Sequence, residues 1–298
     1  MKVVSSPYQA LLALNQGKRH ELSVVGTRTR YWTYGPPTAR HTVVMVHGFR
    51  GDHHGLEPVI AHLADYRVVA PDLPGFGESD PFQYKGHSVD SYGDWLTSFV
   101  AQLPAESEAV LLGHSFGSVV VAAALARGLG ASRVVLVNPI GAPALSGSRG
   151  ILSRLAVLYY RLGAALPERL GAALLRSSLV VRAMSTLLSK SRRRPLRRWI
   201  LAEHLRYFSV FADRQMVGEA FEASVGDDVS AYASRIVAPV LLVGGDCDDI
   251  TPVAVHRRLV SLFPAAELVM IAGVGHLIHY EAPDQAAQAI RVFVEADR

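Results

Sequence analysis

Cysteine and long apolar runs are both scarce in this chain. Among its 298 residues the one cysteine is Cys247, which excludes an intrachain disulfide framework and gives no indication of an oxidising compartment. No run of about 18 uninterrupted apolar residues occurs, so a membrane-spanning helix is not expected. Polar residues within positions 1–15 interrupt the apolar core that a signal peptide needs. These absences predict a cytoplasmic location.

Charged residues are also few, at 19% of the chain, while half of the residues are hydrophobic. That composition can fill a large core and argues against disorder. A length of 298 residues suits one large domain or one domain with an insertion. The formal net charge of +4 is modest, and neither a nucleic-acid recognition fold nor a surface of interleaved basic and aromatic residues is evident. Nucleic acid is therefore not an expected partner.

Predicted strands and helices alternate along most of the chain. Apolar runs typical of buried strands occur at 42–46, 66–70, 109–112, 133–137, 240–245 and 267–271. Because helical patterns separate them, we expect a mostly parallel central sheet with helices on both faces. A short helix and two strands precede these runs, at 8–19, 21–25 and 29–34.

Between residues 141 and 233 the alternation stops, and the sequence shows only helical patterns. They cover residues 151–166, 170–188, 194–211 and 215–223. We therefore predict an α/β core, residues 1–140 and 235–298, that is interrupted by a helical cap over residues 141–234.

A segment of small residues around Ser115 follows one of the predicted strands. The run at 109–112 is typical of a strand, and the Ala-rich stretch 118–129 has a helical pattern. Between them the sequence reads G-H-S-F-G, so strand, G-x-S-x-G and helix follow one another in the order of a nucleophile elbow. Such a tight turn crowds the backbone, and the glycines at 113 and 117 leave room for it.

This turn predicts a reactive serine. It places the Ser115 hydroxyl at the edge of the sheet in a strained conformation, and the N–H of Phe116 at the start of the next helix, where backbone donors lack partners. That N–H suits an oxyanion. Because Gly and Ser are common, the motif alone is weak, and the hypothesis requires an acid and a histidine further along the chain.

An acid and a histidine follow in that order, each after a predicted strand. The strand at 240–245 precedes a turn with three acids: Asp246, Asp248 and Asp249. Each of them suits either a contact to a histidine or the capping of the next helix. The strand at 267–271 precedes a glycine-rich loop that ends in His276. The residues themselves predict Ser115 as nucleophile and His276 as base, and they leave the choice of aspartate open.

Five motifs in order resemble those of the cap-bearing α/β-hydrolase family, which contains esterases, lipases, carbon–carbon bond hydrolases, epoxide hydrolases and haloalkane dehalogenases. They are H-G-F at 47–49, D-L-P-G-F-G-E-S at 72–79, G-H-S-F-G at 113–117, G-D-C-D-D-I-T-P at 245–252 and G-V-G-H at 273–276. The resemblance covers about residues 20–140 and 235–296 and implies an α/β-hydrolase fold. It also implies Asp248 as the acid and the backbone N–H of Phe49 as a second oxyanion donor. Ser118 departs from the glycine or alanine usual in this family.

The serine nucleophile narrows the reactions that the resemblance implies. Epoxide hydrolases and haloalkane dehalogenases attack an sp³ carbon with a carboxylate, which Ser115 does not provide. Hydrolysis of carboxylic esters, thioesters, amides and carbon–carbon bonds stays open, and ester hydrolysis is expected because it is the commonest of these on this scaffold. A non-catalytic ligand-binding protein of the same fold is the alternative from another class. The presence of serine, acid, histidine and both oxyanion positions favours an enzyme.

No cofactor and no metal are expected, since acyl transfer by serine, histidine and aspartate requires neither. His53 and His54 lie near the predicted oxyanion loop. Adjacent histidines seldom share one ion without further ligands, so we interpret both as structural.

The predicted cap is strongly basic between residues 149 and 214. Three acids in this stretch, Glu168, Glu203 and Asp213, face fourteen basic residues: Arg149, Arg154, Arg161, Arg169, Arg176, Arg182, Lys190, Arg192, Arg193, Arg194, Arg197, Arg198, Arg206 and Arg214. The helix at 151–166 has arginines on one side and leucines on the other, which is typical of a solvated face over a packing face. The alternatives are contact with an anionic lipid surface and recognition of an acidic substrate group. The abundant Leu, Ala and Val of the cap also favour an apolar acyl chain.

Overall fold

The computed structural model of the chain describes residues 4–104, 109–142 and 150–296, with the backbone alone for residues 150–154. Arg149 of the predicted basic cap lies outside these ranges. The strands are β1 Lys18–Val24, β2 Thr27–Tyr34, β3 Thr42–Val46, β4 Arg67–Pro71, β5 Val110–His114, β6 Arg133–Val137, β7 Val240–Gly245 and β8 Ala266–Ile271. They form a sheet in the order β1-β2-β4-β3-β5-β6-β7-β8. The pairs β1–β2 and β2–β4 are antiparallel, and the other pairs are parallel.

Helices cover both faces of this sheet. They are α1 Gln9–Leu14, α2 His53–Ala61, α3 Val89–Ala101, α4 Phe116–Ala126, α5 Gly150–Ala165, α6 Glu168–Leu175, α7 Ser178–Leu188, α8 Arg194–Tyr207, α9 Arg214–Gly226, α10 Val253–Val260, α11 Ile278–Glu281 and α12 Pro283–Glu295. Two 3-10 turns, Val229–Ala231 and Ala233–Arg235, precede β7. The predicted α/β-hydrolase fold, a mostly parallel sheet between helices, is confirmed.

The period of two along a strand explains how one sheet supports two cores. In β3, Val44 and Val46 pack with residues of α3 and α4. The alternate residues Val43 and Met45 pack with residues of α2 and α12. Because successive side chains of a strand point to opposite faces, a strand buried on both faces must be apolar throughout. This is why the apolar runs predicted at 42–46, 133–137 and 240–245 coincide with β3, β6 and β7.

The helix predicted over 8–19 is wrong in its second half. Helix α1 ends at Leu14, and β1 begins at Lys18. The cause is Asn15, whose Nδ2 donates to the carbonyl of Ile60 at 3.1 Å and whose Oδ1 accepts from the N–H of Gly35 at 2.9 Å. These long-range contacts turn the chain into the sheet, and no local pattern shows them.

Helices α5 to α9 lie between β6 and β7, within the predicted cap. The single helix predicted over 170–188 is wrong, because two helices occur there. Ser177 has extended backbone, with φ −62° and ψ 118°, and separates α6 from α7. The division of the chain into a core and a cap stays a prediction.

The stretch Glu168–Leu188 has the length and composition of a membrane-spanning helix. It contains 21 residues, and an 18-residue window within it has a mean hydropathy of 1.2 and is 22% buried. Arg169, Arg176 and Arg182 interrupt its apolar residues, which is why a search for uninterrupted runs does not find it. By itself this is weak support for a membrane span, and extended Ser177 divides the stretch.

The tight packing of α4 against β3 gives a direct test of the fold. A methyl group at Gly117 would lie 2.3 Å from the carbonyl oxygen of Val46 and 2.6 Å from that of His47. Since both neighbours are backbone atoms, we expect Gly117→Ala to lower the free energy of unfolding by about 2–3 kcal/mol.

A matched control is Gly218→Ala in the interior of α9. Outside the helix's own turns, a methyl group there meets no described atom within 4 Å. This control should stabilise the protein by about 0.5–1 kcal/mol, because alanine is the better helix former. Urea unfolding of both variants measures the difference, and equal effects at the two positions would contradict the packing described here.

Candidate active site

Ser115 occupies a strained turn between β5 and α4. Its φ is 52° and its ψ is −119°, a left-handed conformation that costs a non-glycine residue about 1–3 kcal/mol. The turn requires glycine at 113, where a Cβ would lie 2.4 Å from the carbonyl oxygen of Gly117. Ser118, the departure from the family pattern, donates its hydroxyl to the carbonyl of Ser115 at 2.5 Å and accepts from the N–H of Ile140 at 3.3 Å. Its hydroxyl therefore ties the turn to the chain that follows β6.

His276 lies between Ser115 and Asp248. Its Nε2 is 2.8 Å from Ser115 Oγ, and its Nδ1 is 2.8 Å from Asp248 Oδ2. The imidazole and the carboxylate are buried, and the serine is partly exposed. Ser115 and His276 are 161 positions apart in the sequence, and Asp248 and His276 are 28 apart. The three residues nevertheless form one hydrogen-bonded series.

Hydrogen bonds hold the Asp248 carboxylate in its ionised form. Burial raises its pKa, but the charge of His276 and the hydrogen bonds that the carboxylate accepts outweigh burial, so the pKa lies below its ordinary value. Oδ1 accepts from the N–H groups of Ile250 at 2.7 Å and Thr251 at 3.1 Å. Oδ2 also accepts from Asn138 Nδ2 at 2.9 Å. Such a carboxylate stays charged and oriented toward the imidazole.

The two neighbouring aspartates make other contacts. Asp246 Oδ1 accepts from the N–H of Gly273 at 2.7 Å, which fixes the loop before His276. Asp249 pairs with Lys190. Among the three acids that the residues themselves left open, Asp248 is the one that contacts His276.

Asn138 is a site residue that the sequence analysis did not single out. It is fully buried at the end of β6, with a φ of 44°. Its side chain donates to Asp248, as described above, and this places an amide next to the aspartate–histidine contact. The available signal was a polar residue directly after the apolar run at 134–137.

The loop after β3 brings Phe49 beside the serine. A Cβ on Gly48 would lie 3.1 Å from Ser115 Cβ. His47 fixes this loop, since its Nε2 accepts from the N–H of Leu73 at 2.8 Å and its Nδ1 lies 2.8 Å from the carbonyl of Gly48. Because Nε2 accepts, Nδ1 carries the proton and donates to that carbonyl. Phe49 and Phe116, the predicted oxyanion positions, both line the cavity above Ser115.

This cavity has a volume of about 720 Å³ and extends from Ser115 beneath the helices α5–α9 between β6 and β7, called the inserted helices below. Its apolar lining includes Phe49, Leu56, Ile140, Met184, Leu187, Leu188, Val225, Ile250, Val255 and Leu277. Glu203, His204 and Tyr207 of α8 form a more polar part of the wall. Helix α7 thus contributes apolar side chains, and α8 contributes groups that can hydrogen-bond.

Buried histidines surround the site without adding charge. Burial lowers the pKa of His114 to about 3 and that of His204 to about 4. His114 Nε2 lies 3.3 Å from the carbonyl of His276. Both imidazoles are therefore neutral at neutral pH and act as packing and hydrogen-bonding groups.

Asp52, His53 and His54 form a cluster whose potential ligand atoms lie within 4.8 Å of one another. Contacts within the protein already engage these residues. Asp52 caps α2 by accepting from the N–H of His54 at 3.0 Å. His53 donates its N–H to Asp72 Oδ1 at 2.9 Å, and its Nδ1 lies 2.9 Å from the same oxygen. The structural role expected for the two histidines fits these contacts, and the absence of a metal stays a prediction.

The guanidinium of Arg50 connects the loop after β3 to the inserted helices. It is fully buried, and it donates from Nε to the carbonyl of Phe208 at 2.8 Å and from Nη2 to that of Leu175 at 2.8 Å. Nη1 donates to the hydroxyl of Tyr160 at 3.1 Å. Leu175 ends α6 and Phe208 follows α8, so the cation lies at two helix carboxyl ends, where positive charge is favoured.

These contacts replace an acidic partner. Within the described ranges, no carboxylate lies at ion-pair distance from Arg50. The Phe208 ring lies 4.5 Å from the guanidinium carbon and the Phe211 ring 5.2 Å from it, which adds cation–π attraction. The sequence analysis missed Arg50 because a charged residue in a loop ordinarily predicts exposure to solvent.

A mostly parallel sheet, a serine on a strand–turn–helix at its carboxyl edge, a histidine in contact with that serine and an aspartate in contact with the histidine define the class of α/β-fold hydrolases. The sequence matches the family described as alpha/beta hydrolase fold over residues 41–283. The chain belongs to this family and is an α/β-hydrolase enzyme.

Similar proteins carry hydrolase names. The chain is 26% identical over 280 residues to the uncharacterized hydrolase YugF of Bacillus subtilis (strain 168), covering 92% of this chain and 96% of that protein. It is 24% identical over 272 residues to Lipase 1 of Psychrobacter immobilis, covering 87% and 80%. A thermophilic esterase from Thermogutta terrifontis has a similar structure, with a TM-score of 0.71, 22% identity and coverage of 93% and 98%. That structural likeness is one of fold.

Replacing Arg50 tests how the loop after β3 is held against the inserted helices. Arg50→Met removes the donor to the Phe208 carbonyl and to the Tyr160 hydroxyl, and it leaves the Leu175 carbonyl with the Tyr159 hydroxyl alone, at 3.2 Å. We expect the free energy of unfolding to fall by about 3 kcal/mol. Exposed Arg161 provides the control, and Arg161→Met should stay within about 0.5 kcal/mol of the parent protein. Urea unfolding measures both, and a stable Arg50→Met protein would show that these contacts contribute little.

Proposed function

We propose that this enzyme is a serine hydrolase that cleaves a carboxylic ester with an apolar acyl part. The observation that carries the proposal is the hydrogen-bonded series from Asp248 through His276 to Ser115, at the base of a largely apolar cavity. The relative named as a lipase supports ester hydrolysis. A relative named as a 2-hydroxy-6-oxononadienedioate/2-hydroxy-6-oxononatrienedioate hydrolase supports the alternative, carbon–carbon bond hydrolysis by the same three residues. We also propose that residues 141–234 act as a cap over this cavity and that the enzyme works in the cytoplasm.

The first half of the reaction transfers the acyl group to the enzyme. His276 donates from Nδ1 to Asp248, which leaves Nε2 as the acceptor for the proton of Ser115. The serine oxygen attacks the ester carbonyl carbon, and the N–H groups of Phe116 and Phe49 stabilise the oxyanion. His276 then gives the proton to the leaving alcohol as the carbon–oxygen bond breaks, and an acyl-enzyme remains.

Water completes the reaction by the same route. His276 takes a proton from water as the water oxygen attacks the acyl carbon, and it returns this proton to Ser115 when the ester bond to the enzyme breaks. Asp248 stays ionised and stabilises the imidazolium in both halves. Its lowered pKa fits this role, because a protonated carboxyl group would lose the attraction to the cation.

The apolar lining of the cavity supports a substrate with an apolar acyl part. Met184, Leu187 and Leu188 of α7, together with Ile250 and Val255 before and within α10, form a continuous apolar side. An acyl chain bound along this side would bury its surface at about 25 cal/mol per Å². We therefore expect longer acyl chains to lower KM until the chain fills the apolar side.

Hydrolysis by Ser115→Ala tests the nucleophile. With p-nitrophenyl esters of increasing acyl length, the parent enzyme should hydrolyse each, and Ser115→Ala should lose about 10⁴-fold or more in kcat. Thioester and vinylogous 1,5-diketone substrates belong in the same series. A higher kcat/KM for the diketone would assign the enzyme to carbon–carbon bond hydrolysis, and unchanged ester hydrolysis by the alanine variant would exclude Ser115 as nucleophile.

The neighbouring aspartates provide a matched pair for testing the acid. Asp248→Asn removes the charge that faces His276 and should lower kcat by about 10⁴-fold, because the imidazole loses its orienting acceptor. Asp246→Asn weakens only the contact to Gly273 and should change kcat less than about tenfold. A large loss at 246 with little change at 248 would show that the acid has been assigned to the wrong residue.

A further inference from the structure

Leucines cover the outer side of helix α5. Leu155, Leu158 and Leu162 are separated by three and four positions, so they lie on one face of the helix, and each is about half exposed. On the opposite side, Tyr160 is buried against Phe221, with their rings stacked at 4.0 Å. The helix therefore has an exposed leucine face in addition to the face that packs against the protein.

Helix α7 repeats this arrangement. Leu179, Ala183 and Leu187 follow at intervals of four and are all exposed, with Leu179 exposed by 76%. Met184, Leu187 and Leu188 line the cavity above Ser115, so Leu187 is both exposed and part of the cavity wall. Single exposed leucines are common on protein surfaces, but exposed leucine stripes on two helices of one insertion are typical of a surface that binds something apolar.

The same helices, and the chain directly after α7, carry exposed arginines without acidic partners among the described residues. Arg161, Arg169 and Arg182 are exposed on α5, α6 and α7, and Arg192, Arg193 and Arg194 follow α7. Between residues 150 and 202 the sequence contains a single acid, Glu168. In the described part of the chain, none of these six arginines forms an ion pair with a carboxylate. The exposed side chains of these helices are thus mainly apolar or positive, and the one acid of the three helices is Glu168 at the start of α6.

We propose that this outer face of α5, α6 and α7 docks on the surface of a lipid bilayer that contains anionic lipids. Leucines of an amphipathic helix enter the boundary between headgroups and acyl chains, while arginines extend along the apolar surface to reach phosphates. The apolar stretch Glu168–Leu188, in which an 18-residue window is only 22% buried, supplies the apolar area. The unpaired arginines supply the charge complementarity.

Docking would place the bilayer next to the cavity. Helix α7 carries Leu179 and Ala183, which are exposed and do not line the cavity, and Met184, Leu187 and Leu188, which do, so it lies between the two. An ester within the same leaflet would then have the shortest route to Ser115. This consequence for the substrate depends on the proposed function, whereas docking itself does not depend on it.

Sedimentation with lipid vesicles tests the proposal. The full chain should bind vesicles of phosphatidylcholine with about 30 mol% phosphatidylglycerol, and it should bind vesicles of phosphatidylcholine alone at least about tenfold more weakly. Raising the salt concentration to about 0.5 M should weaken the binding, because charges are then screened within a few ångströms. Equal binding to both kinds of vesicle, or to neither, would overturn the proposal.

Variants separate the contribution of the arginine charges to vesicle binding from that of the exposed leucines. Arg161→Gln with Arg182→Gln, and separately Leu158→Ser with Leu179→Ser, should each weaken binding by about tenfold or more. All four side chains are exposed, so these changes should leave folding intact. Matched controls are Arg40→Gln with Arg257→Gln, and Val237→Ser with Val292→Ser, at exposed positions outside α5–α7. Loss of binding in the controls would show nonspecific adsorption and overturn the assignment of this face.

Two further measurements make the outcome decisive. Ester hydrolysis in solution distinguishes failure of docking from failure of the proposed function, since a variant with normal hydrolysis and no vesicle binding has lost docking alone. Analytical ultracentrifugation tests the competing occupant, a second copy of the chain. A stable dimer that dissociates in the Leu158→Ser, Leu179→Ser variant would assign the face to self-association and overturn membrane docking.

Discussion

The left-handed turn at Ser115 is the constraint on which the rest of the site depends. A serine with a φ of 52° persists only because residues 113 and 117 are glycines. Without side chains there, the backbone of α4 can lie directly against the backbones of β5 and β3. Parallel pairing of the strands brings the aspartate and the histidine to the same place. His114 pairs with Val137, and Val137 pairs with Val243, so the carboxyl ends of β5, β6 and β7 reach the same edge. The loops after β7 and β8 then deliver Asp248 and His276 to the serine.

The sequence predicts the parts of the fold whose local residue pattern has a single physical explanation. Strands β3, β6 and β7 are buried on both faces, so their apolar runs gave their bounds. The serine and the histidine were also predictable, because each follows such a strand in glycine-rich sequence. Asp248 was not distinguishable from Asp246 by the residues themselves, because all of these aspartates suit a turn. The resemblance selected it, and the contact with His276 agrees with that selection.

What the sequence did not predict depends on contacts between distant residues. Asn15 ends α1 through hydrogen bonds to Ile60 and Gly35. Arg50 is fully buried because two helix carboxyl ends and two aromatic rings accept its charge. No pattern along the chain marks either of them. The same holds for α5 and α7, where leucine spacing showed an amphipathic helix but not that a leucine stripe faces outward.

The central claim is that Ser115 is a nucleophile activated by His276 and Asp248. Its most direct measurement is the mass of the folded enzyme after reaction with a fluorophosphonate, followed by peptide mapping. We predict a single phosphonyl adduct on Ser115, formed with loss of fluoride, and no adduct on protein unfolded in urea. A folded enzyme that acquires no adduct, or acquires one on another residue, would contradict this account.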